Sequence, residues 1–274
     1  MEYLQTIFNL KDKVAVITGG SGVLGGEMAE GLLNAGAKVM LLGRNEEKLQ
    51  QRVESLSRPD NDIFALKCDV LQEEMVLGAN KYILDKYGHI DILINAAGGH
   101  ISGAVIGIGQ NIFDLKIEQF KKATDLNLNG TVLPTLIFGK SMAEQKKGSI
   151  INISSMATQR AITRAVGYSA AKAAVENFTR WMAVEMAQKF GNGIRVNAVA
   201  PGFFLTDQNR EILTKEDGSL TERGKTIINI TPFKRFGEPG ELIGTVLWLA
   251  SDASKFVTGA IIPIDGGFSA FSGV

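Results

Sequence analysis

The chain has 274 residues, with 29 Lys plus Arg against 29 Asp plus Glu and so no formal net charge, and 45% of it is hydrophobic. That composition supports a full globular core. The neutral balance argues against a nucleic-acid or anionic-membrane binder, since both use a net basic surface. A lone cysteine, Cys68, rules out an intrachain disulfide framework and suits a reducing compartment. No apolar run approaches the ~18 residues of a spanning helix. The first ten residues carry Glu2 and lack a basic n-region, so a cytoplasmic location is expected.

In chain order, short Val- and Ile-rich runs alternate with longer helical patterns. The first run, 14–17, feeds Thr18-Gly19-Gly20-Ser21-Gly22-Val23-Leu24-Gly25, in which Gly20, Gly22 and Gly25 fit G-x-G-x-x-G ahead of a helix at 25–35. Such a turn brings backbone close to a pyrophosphate at a helix N-terminus. A second run, 38–42, ends in Gly43-Arg44-Asn45. An NAD site usually places an acid at this tip to hold both adenosine ribose hydroxyls. Arg44 in its place suits a 2′-phosphate, which favours NADP(H) and leaves NAD(H) open.

A helix at 46–56, a run at 63–66, a helix at 73–87 and a run at 90–94 follow. Next come a glycine-rich stretch at 98–115, a single long helix at 118–145, a run at 149–153 and a helix at 166–190. A run at 195–199, a long insertion at 201–237, a helix at 239–251 and a last run at 260–264 complete the chain. Continuous apolar runs fit strands covered on both faces, and their repeated alternation with helices predicts a doubly wound parallel sheet. With no linker-like shift in composition, one α/β domain over 1–274 is expected. The insertion follows a strand's C-terminal end, where open α/β sheets bind ligands, and reads as a substrate lid near 203–235.

Four further features stand at telling intervals. Cys68-Asp69-Val70 ends the third run, Asn95-Ala96-Ala97-Gly98 ends the fourth, and Ser154-Ser155 follows the fifth. Tyr168-Ser169-Ala170-Ala171-Lys172 opens the next helix thirteen residues beyond Ser155. With the glycine turn, this combination resembles the short-chain dehydrogenase/reductase family over nearly the whole chain.

The resemblance implies a sheet of about seven strands, a nicotinamide cofactor and a homotetramer. It also implies a catalytic tetrad of Asn127, Ser155, Tyr168 and Lys172. Asn129 competes for the first place, but Asn127 stands 28 residues before Ser155, the usual interval. By the same resemblance Asp69 and Val70 lie at the adenine, Asn95, Ala96 and Gly98 at the turn after the fourth strand, and Pro201, Gly202 and Thr206 beside the nicotinamide. Gly19, Ser21, Gly22, Val23, Leu24 and Gly25 belong to the phosphate turn. The family's turn has glycine at the sixth position, where this chain has Val23, which leaves open which N–H groups meet the phosphates.

Tyr168 and Lys172 are four residues apart and share a helix face. A tyrosine has an ordinary pKa of about 10. A neighbouring ammonium is expected to lower it and so let the phenol exchange a proton with a carbinol or ketone. Ser155 would bond the same oxygen, Lys172 would also hold the cofactor ribose, and Asn127 would position a proton-feeding water.

Substrate contacts are expected from His100, Ser155, Gln159, Arg160, Arg164 and Phe203. Two arginines so near a catalytic serine suggest an anionic substrate. No His/Cys/Asp cluster has metal-ligand spacing. Within the family, the Gly-Gly-Ser-Gly-Val-Leu-Gly turn, the arginine-bearing segment and the ending from Asp265 onward resemble the D-mannonate oxidoreductase (fructuronate reductase) subgroup. That resemblance implies a keto sugar acid as substrate. The alternatives are a 3-oxoacyl-carrier-protein reductase, a gluconate 5-dehydrogenase, or a nucleotide sensor without turnover. Trp181, Met182, Leu247 and Trp248 are placed either to pair helices between subunits or to fill the core.

Overall fold

The computed structural model describes residues 2–107, 109–206 and 209–273. A short helix α1 (Glu2–Ile7) precedes β1 (Val14–Thr18), α2 (Val23–Asn34), β2 (Lys38–Gly43), α3 (Glu46–Leu56), β3 (Ile63–Lys67), α4 (Glu73–Tyr87) and β4 (Ile92–Asn95). Then follow α5 (Ile117–Thr124), α6 (Gly130–Glu144), β5 (Gly148–Ile153), α7 (Val166–Phe190), β6 (Ile194–Pro201), α8 (Arg210–Leu213), α9 (Glu222–Ile230), α10 (Ile243–Ala250) and β7 (Ile261–Ile264). The seven strands form one sheet in the order β3-β2-β1-β4-β5-β6-β7. Every pairing is parallel.

Each inner strand is apolar on both faces because each face has its own helical layer. Ala15, Ile17, Val39, Leu41, Ile92, Ile94 and Ile151 pack with Met28 and Leu32 of α2, Leu49 of α3 and Leu249 of α10. Their neighbours Val14, Val16, Met40, Leu93 and Ile150 pack on the other side with Ile83 of α4, Phe138 of α6 and Met186 of α7. Burial on this scale stabilises by about 1.5–3 kcal/mol for each large side chain.

The strand order reverses direction between β1 and β4, and a doubly wound sheet opens its ligand crevice at the C-terminal edge of that point. Register carries polar residues to this edge. Thr18 pairs with Asn95, and Asn95 with Asn152. Thr18 Oγ1 accepts from the Ala96 and Ala97 amides, both at 3.1 Å. Asn95 Nδ2 donates to Thr135 Oγ1 at 2.8 Å and Asn152 Oδ1 at 2.9 Å, and Asn95 Oδ1 is buried without a partner among the described residues.

Helix α1 was not expected, the helix expected at 239–251 starts as a 3-10 turn, Pro239–Leu242, ahead of α10, and the largest departure lies in the middle of the chain. The single helix expected at 118–145 is α5 and α6 separated by a π-turn, Asp125–Asn129. Pro134 lies inside α6, one turn beyond, and has no N–H to offer the Gly130 carbonyl. Single π-turns of this kind recur at functional sites.

Candidate active site

The turn after β1 has the geometry of a phosphate cradle. Gly19 has φ +68°, and a Cβ there would lie 2.8 Å from the Ala96 carbonyl oxygen. A Cβ on Gly25 would lie 2.5 Å from the Gly19 oxygen, so side chains are excluded where α2 meets the turn. Gly22 caps α2 and donates its N–H to the Gly19 carbonyl at 3.0 Å. The next N–H groups, of Val23, Leu24 and Gly25, lie in the first helical turn and have no intrahelical acceptor. These are the donors that an anion at the helix N-terminus would meet. Val23 contributes a backbone N–H to this turn whatever its side chain.

Ser21 lies beside the tip of β2, where its Oγ would be 3.4 Å from a Cβ on Gly43. Arg44 follows, exposed to solvent. Asp69 Oδ1 accepts from the Leu71 amide at 3.0 Å, which shapes the turn after β3, and Val70 is buried against Gly130. On the far side, the Gly202 amide at the end of β6, next to Pro201, bonds the Ile264 carbonyl of β7 at 2.8 Å. The Thr206 amide is capped by Asn209 Oδ1 at 2.8 Å. A glycine-walled cradle, free first-turn amides and a polar strand edge fit a dinucleotide.

The four tetrad candidates converge at the same edge. Lys172 is buried on α7 and donates to the Ile153 carbonyl at 2.7 Å. Its Nζ stands 5.8 Å from the centre of the Tyr168 ring. Ser155 Oγ accepts from the Ala157 amide at 3.2 Å, and its hydroxyl is hydrogen-bonded to the Tyr168 phenol. Asn127 is fully buried in the π-turn, where its amide exchanges 2.9 Å bonds with the backbone N–H and C=O of Gly99 and also donates to the Ala123 carbonyl at 2.9 Å. A Cβ on Gly98 would lie 2.7 Å from Asn127 Oδ1 and 3.4 Å from Lys172 Nζ, so Asn127 and the lysine are neighbours. Asn129 is exposed and, among the described residues, its side chain bonds Asp125, so of the two asparagines it is Asn127 that stands beside the lysine. The Asn127 side chain is thus engaged with the Gly99 backbone and the Ala123 carbonyl.

The Tyr168 phenol departs from expectation. Burial pushes its pKa above the ordinary 10, and the nearby Ser155 hydroxyl acts in the opposite direction. No lowering by Lys172 offsets that burial: its Nζ stands 5.8 Å from the ring centre and donates to the Ile153 carbonyl, and its own pKa is pushed by burial from 10.5 to about 8. A protonated phenol is therefore the resting state at neutral pH, the form that donates to a carbonyl oxygen.

Around the mouth, the His100 ring packs on Tyr168 with centroids 4.7 Å apart. Burial, helped by the charge of Arg223, pushes the imidazole pKa down. Arg164 is tied to Ile106, donating from Nε to its carbonyl at 2.6 Å. Arg160 differs from its expected role: it is exposed and holds the C-terminal tail through the carbonyls of Ser269 at 3.0 Å and Phe271 at 2.9 Å. Gln159 is exposed on the same turn, and the Phe203 ring meets Phe268 edge-on at 5.4 Å.

Two residues were not foreseen. Glu176 is buried on α7 and accepts from Ser154 Oγ at 2.9 Å and Thr158 Oγ1 at 2.5 Å, on either side of Ser155. Its signal was available, since 168, 172 and 176 repeat at four-residue spacing on one helix face. Arg223, on α9, had no local signal. Among the described residues no group of three or more His, Cys, Asp or Glu is placed to hold a metal ion.

Doubly wound sheet, glycine cradle and a Ser–Tyr–Lys cluster at its mouth together define a dinucleotide-dependent oxidoreductase. Comparison with known proteins agrees. The family profile described as enoyl-(acyl carrier protein) reductase matches residues 21–269. An uncharacterised oxidoreductase UxuB of Bacillus subtilis is 45% identical over 97% of this chain and 98% of its own. A 2-dehydro-3-deoxy-D-gluconate 5-dehydrogenase of Formosa agariphila is 33% identical over 97% of this chain and 96% of its own. A crystal structure from Haemophilus influenza, provisionally assigned as a D-mannonate oxidoreductase and holding NAD, superposes with a TM-score of 0.90 at 38% identity, covering 97% of this chain and 98% of that one. The chain belongs to the short-chain dehydrogenase/reductase family, whose members are oxidoreductases using a nicotinamide cofactor.

Proposed function

We propose that the enzyme interconverts a keto and a hydroxyl group on a sugar acid of the D-fructuronate/D-mannonate type. The observation that carries the catalytic part is the meeting of Tyr168, Ser155 and Lys172 at the strand edge beside the glycine cradle. A bound nicotinamide supplies or accepts the hydride. Tyr168 donates its phenolic proton to the carbonyl oxygen during reduction and takes it back during oxidation. Ser155, whose hydroxyl already meets the Tyr168 phenol, bonds that same oxygen and fixes its position. Lys172 steadies the phenolate that remains and has two further N–H bonds to offer the cofactor ribose. Asn127 holds the Gly98–Gly99 backbone against the lysine.

The anionic substrate is supported by Arg164 at the mouth and by the sugar-acid names of similar proteins. Excursion 203–235, with α8 and α9, is the substrate lid. Arg44 favours NADP(H), although the similar crystal structure holds NAD. Trp181 and Val184 stand 60% and 57% exposed on α7, which supports a homotetramer paired through that helix. Met182 is buried in the core layer with α4 and α6, and Leu247 and Trp248 pack against the opposite layer, with α2 and α3. A cytoplasmic site fits the free Cys68 and the finding that no described helix is long and apolar enough to cross a membrane.

The test is initial rates with D-fructuronate and with 5-keto-D-gluconate, using NADH and NADPH in parallel, on the parent and Tyr168→Phe. Expected is turnover in the parent and a loss of about 10²–10⁴-fold in Tyr168→Phe with cofactor binding intact. Arg44→Ala should weaken NADPH selectively. Binding of cofactor without turnover across keto acids, keto sugars and acyl thioesters would favour the sensor reading instead.

A further inference from the structure

We propose that Arg223 of the lid helix α9 and Arg164 of the loop before α7 form a paired guanidinium clamp for the substrate carboxylate. The inference rests on the sugar-acid reading and names the groups that would enforce it.

Arg223 reaches across from the lid. Its Nη1 donates to Thr163 Oγ1 at 3.2 Å, the residue next to Arg164. Arg164 is held rigidly. It has φ +80°, a left-handed conformation that costs a non-glycine residue of order 1 kcal/mol or more. Reciprocal bonds to Ile106 fix it there, the Ile106 amide donating to the Arg164 carbonyl at 2.9 Å and Arg164 Nε returning a bond of 2.6 Å. Three segments are thereby joined at the mouth: the loop after β4, the loop before α7 and the lid.

Charge on these arginines is left unbalanced. Arg58, Arg180 and Arg235 each meet a carboxylate within 4.0 Å. Among the described residues neither Arg164 nor Arg223 does. Arg223 is partly buried, and both that burial and the charge of Arg164 push its guanidinium below its ordinary value. Two like charges brought together and partly desolvated are unfavourable unless an anion joins them. The Nη groups of Arg164, and Nε and Nη2 of Arg223, have no partner among the described residues. Those are the N–H groups that bind a carboxylate oxygen pair.

Position relates the clamp to the reacting centre. His100 packs on the Tyr168 ring at 4.7 Å and feels the Arg223 charge. The anionic end of a substrate would sit at Arg223 and Arg164 while its carbonyl faces Tyr168. Closing the lid would then depend on the carboxylate, since one half of the clamp rides on α9. Uncharged keto sugars would lack that link.

The experiment is calorimetric titration of D-mannonate and of its carbon-matched uncharged polyol, D-mannitol, into the protein saturated with reduced cofactor. It needs no turnover. Parent protein should bind mannonate at least tenfold more tightly than mannitol. Arg223→Gln and Arg164→Gln should each weaken mannonate by about 10- to 100-fold, the worth of a charge-assisted hydrogen bond. Mannitol and cofactor affinity should stay unchanged, which also reports that the variants are folded. Arg223→Lys should recover only part of the loss, because an ammonium cannot bind both oxygens in a fork. If the parent prefers mannonate and both variants keep that preference, or lose mannitol equally, the clamp is wrong while the sugar-acid reading survives. If the parent shows no preference for the acid, the sugar-acid reading fails, and the clamp with it.

Discussion

Lys172 should make the protein less stable at neutral pH than at alkaline pH, and Lys172→Met should reveal it. The ammonium is 3% exposed, bonds only the Ile153 carbonyl, and has no carboxylate within 4.0 Å among the described residues. Burial lowers its pKa from 10.5 to about 8. The folded state therefore releases this proton before the unfolded chain does. Below pH 8 both states are charged and folding bears the full desolvation cost, about 3 kcal/mol at about 1.36 kcal/mol per unit. Between the two values the unfolded chain binds more protons, so this group's contribution to stability rises with pH. Methionine removes the charge and the titration together. Urea unfolding of parent and variant, both without cofactor, at pH 7 and pH 10 isolates the effect, since other titrating groups cancel in the comparison. The stability of the variant relative to the parent should fall by roughly 2.5 kcal/mol over that interval. Losing the bond to Ile153 is independent of pH and cancels as well. A relative stability constant to within about 0.5 kcal/mol across the interval would refute the buried ammonium.

Three further outcomes follow from the site. Glu176→Ala should cost about 3–5 kcal/mol in urea unfolding, since it leaves the hydroxyls of Ser154 and Thr158 and the Arg180 guanidinium without their carboxylate. Its kcat should fall by about 10²-fold as Ser155 loses its fixed place, and an unchanged kcat would remove Glu176 from the positioning machinery. Asn127→Ala should destabilise by about 2–4 kcal/mol through three lost buried bonds, whereas Asn129→Ala on the exposed face should stay within about 0.5 kcal/mol; equal effects in thermal denaturation would contradict the asparagine assignment. Gly25→Ala, whose Cβ would press on the Gly19 carbonyl at 2.5 Å, should weaken NADH and NADPH binding at least about tenfold by fluorescence titration at a stability cost of about 1–3 kcal/mol.

The sheet was legible because each strand is apolar on both faces, a pattern that few other contexts produce, and all seven runs became strands. Helices α3, α4 and α7 likewise begin and end where periodicity placed them. The π-turn at Asp125–Asn129 was not legible: Asp-Leu-Asn-Leu-Asn reads as ordinary helix, and what distinguishes it is the grip of Asn127 on Gly99, a contact 28 residues away. The same limit explains the arginines. Proximity in sequence to Ser155 marked Arg160 and Arg164 alike, but Arg160 points to the tail and Arg164 to the mouth. Arg223, 59 residues after Arg164, reaches that mouth only through the folding of the lid. The tyrosine pKa was misread for a related reason: charge spacing along a helix shows which groups are near, not how far burial outweighs their attraction.

Helix α7 shows how these pieces combine. Tyr168, Lys172 and Glu176 occupy successive turns of one face, yet the two charged groups do not pair with each other. Lys172 bonds the Ile153 carbonyl, two residues before Ser155. Glu176 bonds Ser154 and Thr158, which flank it. Both buried charges are thus directed at the backbone segment that carries Ser155, and each costs desolvation that a hydrophobic residue would not. What they supply is registry between two separate elements. Tyr168 is rigid on α7, Ser155 lies on a turn after β5, and a shared substrate oxygen requires the two hydroxyls to meet within hydrogen-bond distance. A turn held only by its own backbone bonds could drift by the ångström that costs about 10²-fold in rate. Clamping it from two successive turns of the tyrosine's own helix removes that freedom, so the ionic burden on α7 is the structural condition for proton transfer at Tyr168.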